Sequence, residues 1–248
     1  MILAPLEQFQ ILSLINLTIF GADFSITNFL VLSLTTVFSL IFIIFFNCAK
    51  NMNFFYAPNS WQYLLELSFR LVFQIVSEIL SKENEKYLPF LIILFHFILL
   101  SNLIGLIPYA FTSTSHVFVT FYTSFSVFIG INIITVEKYG FKTFSLFLPA
   151  NTSFLLSLVL VPIEFVSYFA KPISLGVRLF INLMAGHTLL KVIAGFSWDL
   201  LILENFTSFF LLIPMTTLII LFALELGVAL IQAYVFIILT CIYLQDGS

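Results

Sequence analysis

The sequence predicts an all-α integral membrane protein with about five membrane-crossing helices and one interfacial amphipathic helix, the last two crossing helices being long and strongly tilted. Three observations carry this. Apolar residues make up 61% and charged residues 8% of 248 positions, and the mean hydropathy is +1.16, whereas a soluble domain carries roughly 25% charge. Apolar runs of about one bilayer thickness recur between short polar turns. Two runs near the C-terminus, residues 151–194 and 206–244, are far longer than a bilayer is thick. A single membrane domain over residues 1–248 follows, since no charge-rich stretch is long enough to fold alone.

Taken in order, residues 1–24 lack the basic start and small-residue cleavage site of a signal peptide and read as an extramembrane segment. Residues 26–46 form an uncharged first span, broken by the polar stretch 47–59 with Lys50 and Pro58. Residues 61–86 differ in kind. Gln62, Glu66, Arg70, Gln74, Glu78 and Lys82 recur every four residues, with Leu64, Leu71, Val72, Ile75, Val76 and Ile79 filling the other face. Glu66 with Arg70 and Glu78 with Lys82 are expected to pair at i,i+4. Such a helix lies at the membrane surface, although docking against another subunit gives the same pattern.

Spans at 87–108 and 117–136 follow, separated by the turn FTSTSH. His96 and Asn102 are their polar exceptions, read as interhelical hydrogen-bonding groups ahead of proton carriers. The 44-residue run 151–194 measures about 66 Å as one helix. It is expected either to slant steeply or to break near Pro162 or Pro172. The 39-residue run 206–244 meets the same difficulty, so the two are expected to slant against each other.

Six of the nine Lys and Arg residues fall at 47–86 and 137–143, none at 109–116, and the stretch 196–205 has only Asp199 and Glu204. The positive-inside rule therefore puts the first two loops inside and the other two outside. The N-terminus then starts outside and the C-terminus ends inside.

Chemistry concentrates in the stretch SLGVRLFINLMAGH, residues 174–187. Arg178 in a membrane helix costs about 2.5 to 3.5 kcal/mol on insertion scales, and an arginine does not neutralise. A permanent charge there calls for an anionic partner or an ion path. Ser174, Arg178 and Asn182 share one helix face at spacing four. Glu164 lies within about 40° of that face, roughly 21 Å before Arg178, and His187 points to the opposite side about 13 to 14 Å beyond it. On the last run, Glu225 and Gln232 are seven apart and share a face, thinned by Ala223, Gly227, Ala229 and Ala233. The structural alternatives are a buried pair of Arg178 with Glu164 or Glu225, a static His187–Glu225 pair, and Gln232 as an interhelical hydrogen bond. Lys171 and Lys191 read as interfacial groups.

The net charge of −3 argues against a nucleic-acid partner. Cys48 and Cys241 lack metal-ligand spacing and read as apolar residues, and no GxxxxGK[ST] loop is present for a nucleotide. No cofactor or metal site is expected.

The arginine helix, the stretch from Glu225 through Gln232 to Leu244, the NLIGLIPY run from Asn102, and the opening PLEQF resemble subunit a of the F-type ATP synthase, also called ATPase subunit 6. With a histidine at 187 and an acid at 225, the arrangement resembles the mitochondrial and alphaproteobacterial form. The resemblance implies a proton-translocating stator subunit with two offset aqueous half-channels. Arg178 would be the essential charge facing the c-ring carboxylate, with Gln232 its neighbour and Asn182 on the same path. His187 and Glu225 would belong to the outer access path and Glu164 to the inner one. The implied partners are the oligomeric c-ring, peripheral-stalk and other membrane-sector subunits and the lipid bilayer, with no direct nucleotide. The implied location is the mitochondrial inner membrane, or alternatively a bacterial inner membrane. Two rival readings are a self-contained ion-coupled secondary transporter, which would carry internal repeats and a midplane substrate site, and a structural membrane subunit, which would leave Arg178 unexplained.

Overall fold

The computed structural model describes residues 9–19, 22–50, 60–81, 84–107, 111–140, 154–202 and 208–246. Six helices dominate: α1 (Asn28–Lys50), α2 (Ser60–Ile79), α3 (Leu88–Gly105), α4 (Val117–Tyr139), α5 (Phe154–Ile202) and α6 (Ser208–Asp246). The four from α3 to α6 are long and apolar enough to cross a membrane, and α1 is apolar through Phe42. Before them lie two small antiparallel ribbons, β1 (Ser13–Ile15) with β4 (Ile26–Thr27) and β2 (Thr18–Ile19) with β3 (Ala22–Asp23). The first span thus begins at Asn28, whose side chain closes the ribbon onto the helix by accepting from Leu12 N and donating to Gln10 O.

The helices pack through one continuous core. Val72, Ile75 and Val76 of α2 meet Leu91, Phe95 and Ile98 of α3, Leu175 and Leu179 of α5, and Phe236, Ile237 and Cys241 of α6. α5 packs along both α4 and α6, and α6 also packs on α3. At the α4 crossing, Gly176 lets α5 approach closely. A Cβ there would stand 2.8 Å from Ser124 Oγ and 3.1 Å from the Thr120 carbonyl oxygen. Many large apolar side chains face outward, Phe118 at 90% exposure and Ile219 at 68% among them, as helices surrounded by lipid or partner helices require.

Two expectations change. The apolar stripe of α2 does not lie wholly on a membrane surface: its C-terminal half is buried against α3 and α6 of the same chain, while Leu64, Leu67 and Phe69 stay exposed. Its end is fastened where Ser81 N donates to Gln245 Oε1 at 3.1 Å. Glu66 and Arg70 do pair, at 2.8 Å. Glu78 accepts from Gln74 Nε2 at 2.9 Å; its expected partner Lys82 lies outside the described residues.

Of the two alternatives posed for α5, the unbroken helix is the one formed. It runs unbroken through Pro162 and Pro172 for 49 residues, about 74 Å, so neither proline ends it. Each removes one backbone hydrogen bond, a loss that neighbouring helices and local adjustment absorb in membrane helices. The second change is that α5 reaches Ile202, so Asp199 stands on a helix and not in the loop expected from residue 196 onward. α6 spans 39 residues with Pro214 inside, about 58 Å. The polar turn between α3 and α4 holds a short 3-10 turn at Ser113–Ser115, packed against α1, α3, α4 and α5.

Candidate functional site

The site forms where α5 and α6 cross. Ala229 and Ala233 of α6 are buried there, at 5% and 0% exposure, and small side chains at a crossing permit close helix approach. Ala223, also expected to thin α6, is exposed, and Gly227 has open space above its Cα. On α5, Gly186 gives Glu225 its seat: a Cβ on Gly186 would stand 2.4 Å from Glu225 Oε1 and 2.9 Å from its Cδ. Only glycine leaves room for that carboxyl. Gly186 was not singled out in the sequence, although a glycine directly before the lone histidine of an apolar helix was there to be read.

Two cross-helix pairs result. Asn182 Nδ2 donates to Gln232 Oε1 at 3.0 Å. One turn along, His187 Nε2 and Glu225 Oε1 stand 4.0 Å apart, both residues buried. The spacing of seven between Glu225 and Gln232 does place both on the face that meets α5. A third helix joins them, because Asn102 of α3 donates through Nδ2 to the Ala229 carbonyl at 3.4 Å. A cavity of about 240 Å³ lies between Asn102, Asn182, Gly186, Glu225, Ala229 and Gln232.

Within this cluster Asn102 Oδ1, His187 Nε2 and both carboxyl oxygens of Glu225 are buried without a hydrogen-bond partner among the described residues. Buried polar groups of this kind are ordinarily met by ordered water. The cavity exceeds the volume one water needs. Imidazole and carboxyl groups exchange protons with water, whereas the amides of Asn182, Gln232 and Asn102 relay hydrogen bonds without titrating.

Arg178 stands one turn before Asn182 and is exposed on the outside of the helix pair. Among the described residues it makes no ion pair or hydrogen bond, so the pairs with Glu164 or Glu225 weighed from the sequence are not formed. Its guanidinium keeps its charge in any protein setting and therefore faces whatever borders α5 on that side. Glu164 is half-buried on the same helix, about 21 Å away along the axis, and is not brought into the cluster. Lys171 lies over the Tyr243 ring at 4.9 Å.

His96 and Asn102 act as interhelical groups. His96 Nε2 is 3.1 Å from Ser68 Oγ of α2, and Asn102 also lines the cavity, a role that its spacing on α3 does not announce. Cys241 is a free, buried thiol, in keeping with an apolar role. Among the described residues there is no cluster of metal-ligating side chains.

Known proteins share this chain nearly end to end. It is 49% identical to ATP synthase subunit a of Pylaiella littoralis, over 98% of this chain and 97% of that one. It is 43% identical to ATP synthase subunit a of Chondrus crispus, over 99% and 96%, and 41% identical to that of Marchantia polymorpha, over 98% and 97%. The ATP synthase A chain family matches residues 29–245, α1 through nearly all of α6 and hence every residue of the site. The chain therefore belongs to the ATP synthase A chain family.

Proposed function

We propose that this chain is the proton-translocating stator of an ATP synthase membrane sector and that Arg178 is the fixed charge facing a rotating ring of carboxylate-bearing subunits. One observation carries the reading: a permanent cation stands exposed and, among the described residues, unpartnered on the outer face of an apolar helix, one turn from a buried polar strip. Left against lipid, that charge is costly. A carboxylate brought opposite it relieves the cost and is itself favoured as the anion. Elsewhere in hydrocarbon an isolated carboxylate is stable only when protonated. A ring carboxylate thus releases its proton at Arg178 and takes one up again before moving on through lipid.

For that exchange to drive rotation, protons must arrive and depart by offset aqueous half-channels with Arg178 between them. His187 and Glu225, beside the cavity, form the outer-side path, with Asn182 and Gln232 linking it towards the arginine. Glu164, far along α5 in the other direction, belongs to the inner-side path. Each elementary charge crossing 100 mV supplies about 2.3 kcal/mol. The lengths of α5 and α6 require a slant across about 30 Å of hydrocarbon, and charge asymmetry puts the turn at 111–116 and the N-terminus outside. Peripheral-stalk and other membrane-sector subunits hold the chain against the ring, in the mitochondrial inner membrane. A self-contained ion-coupled transporter fits less well, because the ionisable groups collect on α5 and α6 without an internal repeat.

Cysteines placed along the Arg178 face test the reading. Ser174→Cys and Ala185→Cys, both at exposed positions of α5, should form disulfides with cysteines beside the ring carboxylate, whereas Phe118→Cys on α4 should not. Cross-linking at Phe118 with none at Ser174 or Ala185 would place the ring elsewhere and refute the assignment.

A further inference from the structure

The orphaned polar groups do not stop at His187. Thr112, 1% exposed, packs directly on Gly105: a Cβ on that glycine would stand 3.2 Å from Thr112 Cγ2 and 3.6 Å from its Cβ. On the same backbone, His187 meets Gly105. Thr112 Oγ1 is buried without a hydrogen-bond partner among the described residues, and so are Thr114 Oγ1 and His116 Nε2 farther along the turn. Among the described residues, unpaired polar atoms therefore occur on both sides of Gly105: at Thr112 on the 111–116 turn, and at His187, Glu225 and Asn102 around the cavity between α5 and α6.

Phe9 of the N-terminal segment stands edge-on to the His187 imidazole with ring centroids 6.4 Å apart. Beneath the turn a second cavity of about 50 Å³ lies among Phe29, Phe97, Ser113, Thr114, Thr120 and Leu179, large enough for a water beside the unpaired Thr114 hydroxyl. Leaving one buried hydroxyl unpaired costs stability that a purely structural turn has no reason to bear. Here three unpaired groups share one turn, at the end of the bundle where α3 gives way to α4.

We propose that the 111–116 turn is the mouth of the outer half-channel and that Thr112 is its first relay, passing protons through water from the outer face to His187 and Glu225. This rests on the reading of the α5–α6 site as a proton path. Thr112 acts through His187 and is a positioning residue for the water between them. Thr114 and His116 line the entrance ahead of it.

The test uses the assembled, ring-containing complex in vesicles, with Cys48 and Cys241 replaced by alanine and all rates scaled to assembled complex. Thr112→Val keeps the shape and removes the hydroxyl, so potential-driven proton flux should fall roughly fivefold, the worth of about one hydrogen bond. Thr112→Ser should restore it, and the number of protons per ATP should stay unchanged in both. Thr112→Cys should react with a membrane-impermeant cationic methanethiosulfonate applied to the outer face, and the adduct should block flux. Wild-type flux in Thr112→Val overturns the proposal. So does a Thr112→Cys that is unreactive from outside, reactive only from inside, or reactive without loss of flux. Arg178→Ala, measured in parallel, separates the two layers. If it abolishes synthesis while Thr112→Val is silent, the turn alone fails; if it preserves synthesis, the site itself was misread.

Discussion

Replacing Gly186 by alanine puts a methyl group where the Glu225 carboxyl now sits. The new Cβ would stand 2.4 Å from Oε1 and 2.9 Å from Cδ. Oε1 must retreat to at least 3.4 Å for ordinary contact, a shift of about 1 Å, comparable to the misplacements that cost about a hundredfold where protons or groups are transferred. The obstructing atoms are the far end of a flexible side chain, so α5 and α6 need not separate. Stability should fall by no more than about 1 kcal/mol, below the usual range for overpacking a rigid core. Proton flux through the reconstituted complex should fall by one to two orders of magnitude, on the order of what such a displacement costs, while assembly and melting temperature stay near wild type. Gly130→Ala on α4, where nothing lies within 4 Å of the new methyl, is the control. Wild-type flux in Gly186→Ala would show that Glu225 need not sit at this seat.

Gly176→Ala should behave in the opposite way, because its Cβ meets the Thr120 carbonyl oxygen at 3.1 Å and Phe121 Cα at 3.3 Å, backbone that cannot rotate aside. A loss of about 1 to 3 kcal/mol should appear as a lower melting temperature and less assembled complex, and unchanged stability would contradict the close α4–α5 packing. A double exchange, His187→Glu with Glu225→His, should retain more proton flux than either single change; equal loss in all three would argue against a shared path. Burial holds the His116 imidazole below its ordinary value of 6.5, so the unfolded chain binds this proton more readily than the folded one. The fold should therefore lose stability as pH falls below about 6.5, and His116→Gln should flatten that dependence in melting curves taken between pH 7 and 5.

Hydropathy made the spans readable because every lipid-facing helix must bury its backbone hydrogen bonds and show apolar side chains for the length of a bilayer. Spacing made the faces readable: seven residues brought Glu225 and Gln232 to one side of α6, and nine put His187 away from Arg178. What escaped the sequence depends on groups from different helices. The seat under Glu225 is an absent side chain at Gly186, and its meaning appears only once α6 is laid across it. The burial of Val72 and Val76 against α3 and α6 cannot be told from burial in lipid, since both ask for the same apolar stripe. The prolines of α5 were read as possible breaks because local chemistry disfavours them within helices, but membrane packing outweighs that preference. Residues 196–202 looked like a loop on account of Asp199, a single charge that a helix near its end accommodates.

The central claim is that Arg178 acts through its charge on a passing carboxylate. Its most direct test is to measure ATP synthesis and passive proton flux together in vesicles containing the complete ring-bearing complex with Arg178→Ala, beside Arg178→Lys. The account predicts no coupled synthesis with alanine and a passive leak, since a ring that keeps its protons can slip past, and little or no synthesis with lysine, which lacks the planar fork and neutralises more readily when desolvated. Coupled synthesis at the wild-type rate in Arg178→Ala, without a leak, would contradict it.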